Sequence, residues 1–189
     1  MSVALWLISF VEVDAPAMTQ PRLKNDKYKD AARFLAVRDL QLLLGAEPHL
    51  AKGFKVLSKR AKSDELRTFC KEGVIYTLRR VDRIKKALKE LDAPVESGRS
   101  SGLDGLIRDA KRAAARTKSA ETDVAILGTI ERISHFGLAI YTTIDRHLRL
   151  AGAPEARRLL VPSTKEKREA IGEMSRMARK RLLPRLKRL

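Results

Sequence analysis

An acid, a guanidinium and a phenol occupy positions where helical periodicity points side chains into a protein interior. Residues of an α-helix lie about 100° apart around its axis. On that spacing Glu47 falls in the middle of the apolar stripe formed by Leu40, Leu43, Leu44, Ala51 and Phe54. Arg80 falls on the stripe of the next helical segment, one turn after Tyr76. A buried charge is costly unless it is paired, so we predict an interior Glu47–Arg80 ion pair that also accepts a hydrogen bond from Tyr76. The alternative is that one charge turns to solvent near a kink at Pro48.

His135 is the residue whose chemistry most suggests a metal ligand. The segment around it carries an apolar stripe made of Ile126, Ile130, Ile133, Gly137, Ile140 and Ile144. The centre of this stripe is near Gly137, and His135 lies roughly 160° away around the helix. We therefore expect His135 on the outer, polar face. Metal binding through Glu47, Asp104 and His135 is the alternative hypothesis.

Cysteine and histidine are too scarce in this chain for the common metal and redox motifs. Cys70 is the single cysteine, which excludes an internal disulfide and a cysteine-based zinc cluster. The three histidines are dispersed at positions 49, 135 and 147. The sequence also shows no nucleophile–histidine triad and no phosphate-binding glycine loop. We therefore predict neither catalytic nor metal-ligating residues.

Basic residues dominate the charge of the chain. Its 189 residues include 40 Lys and Arg against 23 Asp and Glu, a net charge of +17, and such an excess favours contact with polyanions. The acid-free C-terminal run supplies the predicted anion-binding residues Arg176, Arg179, Lys180, Arg181, Arg185, Lys187 and Arg188. The predicted partner is nucleic acid, bound without sequence preference, or an anionic membrane surface. The alternative is a basic face that is merely solvated.

Amphipathic segments rich in strong helix formers predict an all-α protein. The expected helices span residues 29–62, 63–91, 103–116, 120–150, 155–160 and 163–183, with Pro48 kinking or restarting the first. Long helices with short connections are typical of an antiparallel four-helix bundle, here with an additional short helix. The predicted domains are a flexible extension at 1–28, the bundle at 29–183 and a basic tail at 184–189.

The N-terminal segment needs a separate interpretation. It opens with a short apolar run that Glu12 interrupts, and no basic residue precedes Arg22. The run is also shorter than the ~20 apolar residues that a membrane span requires. We expect an extension of a cytoplasmic protein, with no transmembrane segment, and a secretory signal peptide is the alternative.

Five stretches between about residues 34 and 178 carry a family resemblance. They are LLLGAEPHLAKGFKVLSKRAKSDELRTFC, YTLRRVDRI, GLDGLIRDA, HFGLAIYTTI and APEARRLL. These motifs resemble the bacterial ferritin-like family usually called YciE/YciF, which is found in stress-related operons. The resemblance implies a ferritin-like antiparallel bundle, often dimeric, with a carboxylate-rich di-metal centre. The family's acid on the first helix matches Glu47.

Other interior positions depart from the family pattern. Gly73 stands where the family has a histidine, Gly137 where it has a glutamate, and Ile171 where it has a spaced aspartate. Arg80 and Lys167 add positive charge, although Lys167 is expected at the margin of its stripe, where its stem can carry the amine to solvent. One interior acid cannot neutralise two metal ions, so we expect a degenerate metal site.

These departures favour a non-catalytic protein. We expect a stress-associated scaffold or binding protein with basic surfaces, no cofactor and a homodimeric assembly. The alternative is a working YciE/YciF-type protein that binds iron or manganese through ligands placed one helical turn away from those assigned above.

Overall fold

The computed structural model describes residues 26–116, 121–182 and 184, and every regular element in those ranges is helical. The all-α prediction is confirmed. The helices are α1 (Asp26–Arg60), α2 (Asp64–Glu90), α3 (Ser101–Arg116), α4 (Glu121–Leu150) and α5 (Pro154–Met177), and a π-helical segment (Ala178–Leu182) continues α5. Helices α1, α2, α4 and α5 each pack against two neighbours and form a four-helix bundle. The shorter α3 covers α1 and α4.

Two helices continue through a proline at which the sequence predicted a break or kink. α1 runs unbroken through Pro48, so the predicted restart there is wrong, and α5 runs unbroken through Pro162, so its two predicted pieces are one helix. Each proline removes one backbone hydrogen bond. In both helices buried residues lie on either side of the proline, Glu47 and Leu50 in α1 and Leu160 and Ser163 in α5. Packing on both sides therefore holds the helix together across the missing bond.

The predicted loop between α2 and α3 lies directly against α1. The backbone N–H of Gly98 donates to the carbonyl of Gln41 at 2.8 Å, and the Gln41 side chain donates to the carbonyl of Pro94 at 3.1 Å. A Cβ atom on Gly45 would lie 1.9 Å from the carbonyl oxygen of Gly98. Glycine at position 45 therefore permits this close approach of loop to helix.

The buried side chains form two apolar clusters with a polar layer between them. One cluster centres on Leu40, Ile84 and Leu148, and the other on Leu66 and Ile130. Between them along the helices lie buried polar residues from all four bundle helices: Glu47, Thr77, Arg80, Ser134, Ser163 and Lys167. The bundle thus holds Glu47, Arg80 and Lys167 together at mid-length.

The turn between α1 and α2 is fixed by an acid from α4. Asp123 is buried, and its two carboxylate oxygens accept hydrogen bonds from the backbone N–H groups of Lys62 at 2.7 Å and Ser63 at 2.8 Å. Ser63 is the N-cap of α2, and its side chain accepts a further hydrogen bond from the N–H of Leu66. The start of α2 is thereby tied to a helix that follows much later in the chain.

Replacing Asp123 with alanine should lower the free energy of unfolding by about 2–4 kcal/mol, because two buried N–H groups lose a charged acceptor. Urea unfolding followed by circular dichroism measures the change. The matched control is Asp64→Ala in the first turn of α2, whose exposed side chain forms a surface pair with Arg67 and should matter little. Equal stability of the two variants would show that the cap does not hold the turn.

Candidate functional site

The carboxylate of Glu47 is the centre of the buried polar layer. Its side chain has no exposed surface and projects from α1 into the bundle. The structure brings it together with Arg80 of α2, whose Nε atom donates to both carboxylate oxygens at 3.2 Å. No desolvated carboxylate is stable as an anion without such partners, so the pair is the first requirement of this core.

Arg80 is itself held on all sides. Its Nη2 atom donates to the Thr77 hydroxyl at 2.8 Å, and that hydroxyl donates to the carbonyl of Gly73 at 2.6 Å. Its Nη1 atom lies 3.7 Å from Glu166 of α5, which also pairs with Arg83 at 2.7 Å. The guanidinium therefore links acids from two helices, Glu47 of α1 and Glu166 of α5.

Lys167 of α5 is the second cation on Glu47. The expectation that its amine reaches solvent is wrong: only 6% of the side chain is exposed, and Nζ lies 3.6 Å from Oε1 of Glu47 and 5.6 Å from the centre of the Tyr141 ring. Burial lowers the pKa of Lys167 to about 8, and the Arg80 charge acts in the same direction, while Glu47 opposes both. The amine of Lys167 thus releases its proton more readily than a surface lysine does.

A tyrosine donates to Glu47, but it is not the predicted one. Tyr76 is 40% exposed and lies beneath the guanidinium of Arg79. Tyr141 of α4 is buried instead, and its hydroxyl donates to Oε1 of Glu47 at 3.3 Å. Burial and the Glu47 charge raise the pKa of Tyr141 well above its ordinary value, so the phenol keeps its proton. The sequence could have indicated Tyr141, because it follows Gly137 by four residues and so lies on the same inward stripe of α4.

Neighbouring side chains fill the space beside two glycines, Gly137 and Gly73, at which the resemblance implies metal ligands. A Cβ atom on Gly137 would lie 2.9 Å from Nζ of Lys167, and one on Gly73 would lie 2.9 Å from the Phe54 ring. The amine of Lys167 therefore lies where the resemblance places a glutamate. The Phe54 ring likewise takes the place of a histidine.

The residues present do not fit the di-metal centre that the resemblance implies. Glu47 already faces two cationic side chains, Arg80 and Lys167. Their positive charges would repel metal ions at this position. Among the described residues no three His, Cys, Asp or Glu side chains are grouped to hold a metal ion. The alternative set is not assembled either: Asp104 pairs with His49 at 3.4 Å, and His135 is exposed on the outer face of α4.

The predicted anion-binding residues are only partly covered by the structure. Arg176 in the last turn of α5 and Arg179 and Lys180 in the π-helical segment are exposed. The backbone of Arg181 lies in the same segment, but its side chain is outside the described residues. The three remaining residues, Arg185, Lys187 and Arg188, also lie outside the described part of the chain.

Together the fold and the layer define a ferritin-like helical bundle with an ion-pair cluster at its centre. A family model described as a domain of unknown function, DUF892, matches residues 33–186. The chain belongs to this family, in agreement with the YciE/YciF-type resemblance.

Two solved structures show the same fold. The E. coli stress protein YciF is 18% identical, with a TM-score of 0.73 over 82% of this chain and 96% of YciF. YcfI from Rhodopseudomonas palustris, described as "a putative structural protein", is 20% identical, with a TM-score of 0.74 over 76% of this chain and 92% of YcfI. No curated protein matches the chain. None of the described helices is both long and apolar enough to cross a membrane.

Replacing Glu47 with glutamine should lower the free energy of unfolding by about 3–5 kcal/mol, because two buried cations lose their charged partner. Urea unfolding measures the loss. Glu96→Gln in the exposed α2–α3 loop is the matched control and should unfold like the parent protein. A Glu47→Gln variant as stable as that control would mean that the carboxylate is not part of an ion pair.

The two tyrosines provide a second test of the layer. Tyr141→Phe should cost about 1–2 kcal/mol of unfolding free energy, since a buried carboxylate loses a donor. Tyr76→Phe removes the same atom from an exposed side chain and should leave the unfolding midpoint unchanged. The reverse order in thermal or urea denaturation would restore Tyr76 as the partner of Glu47.

Proposed function

We propose that this protein is a non-catalytic ferritin-like scaffold that binds anionic partners through its basic surfaces. The observation that carries the proposal is the occupation of the bundle centre by the Glu47–Arg80–Lys167 cluster. Redox chemistry in a ferritin-like bundle relies on metal ions held by several inward carboxylates, and here the central carboxylate, Glu47, already has two cationic partners. The proposal includes a degenerate metal site and the absence of a cofactor.

The solved relatives support a role of this kind. YciF is named as a stress protein and YcfI as structural, and we extend both descriptions to this chain as part of the proposal. A cytoplasmic homodimer active under stress agrees with the composition and with the ferritin-like fold. Neither the assembly nor the location is needed for the tests below.

The described surface offers basic groups on more than one side of the bundle. Lys52 of α1 and Arg108 and Lys111 of α3 line one open groove between these helices. The end of α5 and the π-helical segment present Arg179 and Lys180. Flexible lysines and arginines suit sequence-independent contact with phosphates.

Metal content tests the scaffold proposal directly. Protein without a histidine tag, purified from cells grown with added iron and manganese, should contain far less than one equivalent of either metal by elemental analysis. The physical reason is the charge of the central layer, where Arg80 and Lys167 already neutralise Glu47. Stoichiometric iron or manganese would instead favour the metal-binding YciE/YciF-type alternative.

Binding to heparin and to duplex DNA tests the anionic partner. The triple variant Arg179→Gln, Lys180→Gln and Arg181→Gln should elute from heparin at lower salt than the parent, because each lost phosphate contact reduces the salt dependence of binding. Two duplexes of unrelated sequence should bind alike.

A charge-matched control separates a local contact from bulk charge. Lys85→Gln, Lys86→Gln and Lys89→Gln remove three positive charges from the exposed side of α2. This control should elute close to the parent protein. Equal shifts in the elution of both triple variants would contradict a contact at the end of α5. If the protein floats with anionic liposomes but is not retained by DNA, the anionic partner is a membrane surface rather than nucleic acid.

A further inference from the structure

The outer face of α2 carries two exposed apolar side chains between two exposed charges. Ile75 and Leu78 are 52% and 53% exposed. Lys71 lies one turn before Ile75, and Asp82 lies one turn after Leu78; both charged side chains are exposed as well. The four residues lie within about 60° of one another around the helix axis, because each follows the last by three or four positions. They form one patch on the surface of the bundle, the α2 patch.

The spacing of the α2 patch is symmetric. Positions 71, 75, 78 and 82 are separated by four, three and four residues, and their order is basic, apolar, apolar, acidic. A second α2 that lies antiparallel across this face, related by a twofold axis at the middle of the patch, therefore sets Ile75 against Leu78 of the second copy. The same pairing sets Lys71 against Asp82 of the second copy. Twofold symmetry makes each contact twice.

We propose that two copies of this chain form a homodimer through the α2 patch, with their α2 helices antiparallel. This contact covers the exposed apolar side chains of both copies and gives each charge a partner of opposite sign. Within the described part of the chain, neither Lys71 nor Asp82 takes part in a salt bridge. The proposal assigns a surface to the homodimer that the proposed function includes, and it rests on that part of the proposed function.

The residue types of the patch favour this arrangement over its alternatives. If one α2 shifts along the other by four residues, about one turn, either Ile75 meets Asp82 of the second copy or Lys71 meets Leu78. Both shifts place a charge against an apolar side chain, which is unfavourable. A parallel pair sets Lys71 against Lys71 and Asp82 against Asp82, and such like-charge contacts oppose association. The antiparallel register alone matches apolar with apolar and base with acid.

The charge of the patch favours a second copy over a polyanion as its occupant. The whole chain has a net charge of +17, so two copies repel each other over long range. The four residues of the patch carry no net charge, since Lys71 and Asp82 cancel. Two copies therefore meet less repulsion here than at the basic end of α5, and a polyanion finds no excess of positive charge to bind.

The size of the contact sets the expected strength of the dimer. Helices that cross at an angle separate on either side of their contact, so the interface extends over about three turns, from Lys71 to Asp82. Such a contact is smaller than the about 800 Å² per partner of a standard stable interface. We therefore expect a reversible monomer–dimer equilibrium in the micromolar range, which sedimentation equilibrium of the full-length protein measures.

Charge exchange tests the pairing of Lys71 with Asp82. Lys71→Asp alone and Asp82→Lys alone should each weaken the dimer at least about tenfold, since each sets like charges together at two symmetric places. The double variant should dimerise like the parent, because the exchanged charges pair again. Bulk charge predicts a different result: in a chain of net charge +17, Lys71→Asp would promote association. A dimer that neither single variant weakens would overturn the α2 patch and leave the homodimer in place.

The apolar pair provides a matched comparison. Ile75→Glu combined with Leu78→Glu should abolish the dimer, because four acids then face one another in place of the apolar contact. Val161→Glu changes a side chain on α5 that is 50% exposed and should leave the dissociation constant unchanged. All three positions are exposed, and circular dichroism checks that each variant is folded. Equal weakening by Val161→Glu would contradict a contact confined to α2 and would overturn the proposal.

Cross-linking with a carbodiimide identifies what covers Lys71, because this reagent joins an amine directly to a carboxylate in contact with it. Lys71 and Asp82 are about 16 Å apart along their own helix, so an amide between them must join two copies. A mixture of isotope-labelled and unlabelled chains should give this peptide in mixed form. Coupling of Lys71 to Glu12 or Asp14 of its own chain would show that the N-terminal segment covers the patch, and would overturn the proposal.

The outcome of sedimentation separates this proposal from the proposed function. A protein that is monomeric at every concentration would overturn both the α2 patch and the homodimer. The scaffold proposal would still stand on the metal content and on heparin binding, neither of which depends on the assembly.

Discussion

The need to neutralise one buried carboxylate organises the centre of this bundle. Glu47 has no access to water, so its charge must be balanced by protein groups. α2 supplies Arg80, α5 supplies Lys167, and α4 supplies the Tyr141 hydroxyl. Arg80 is in turn held by Glu166 and Thr77. All four bundle helices are therefore joined by one electrostatic requirement, and apolar packing continues on either side of it.

The predictable features were those that periodicity alone determines. Helical spacing located the helices and the inward directions of Glu47 and Arg80. The errors arose where tertiary packing decides: buried neighbours carry α1 and α5 through Pro48 and Pro162, against the local preference of proline. A marginal stripe position could not show whether Lys167 would reach outward or inward. That depended on the space left by Gly137, on a different helix.

The ionic layer also shows that family membership does not fix the chemistry at the centre of the bundle. The chain shares a family with DUF892 proteins and a fold with YciF and YcfI, yet fold does not determine what occupies a site. Lys167 and Phe54 fill the spaces beside Gly137 and Gly73. In this chain the helix order of the fold surrounds an interior of internally compensated charge.

The position of the charged layer between two apolar clusters has a consequence for helix alignment. An apolar seam tolerates sliding, because one leucine can replace another after a shift of one turn, about 5.4 Å. A shift of α5 by one turn would instead bring Ser163 or Ile171 opposite Glu47 in place of Lys167. The carboxylate would lose a counter-charge, and the lysine would enter hydrocarbon. The ionic layer therefore fixes the register of the four helices along the bundle axis.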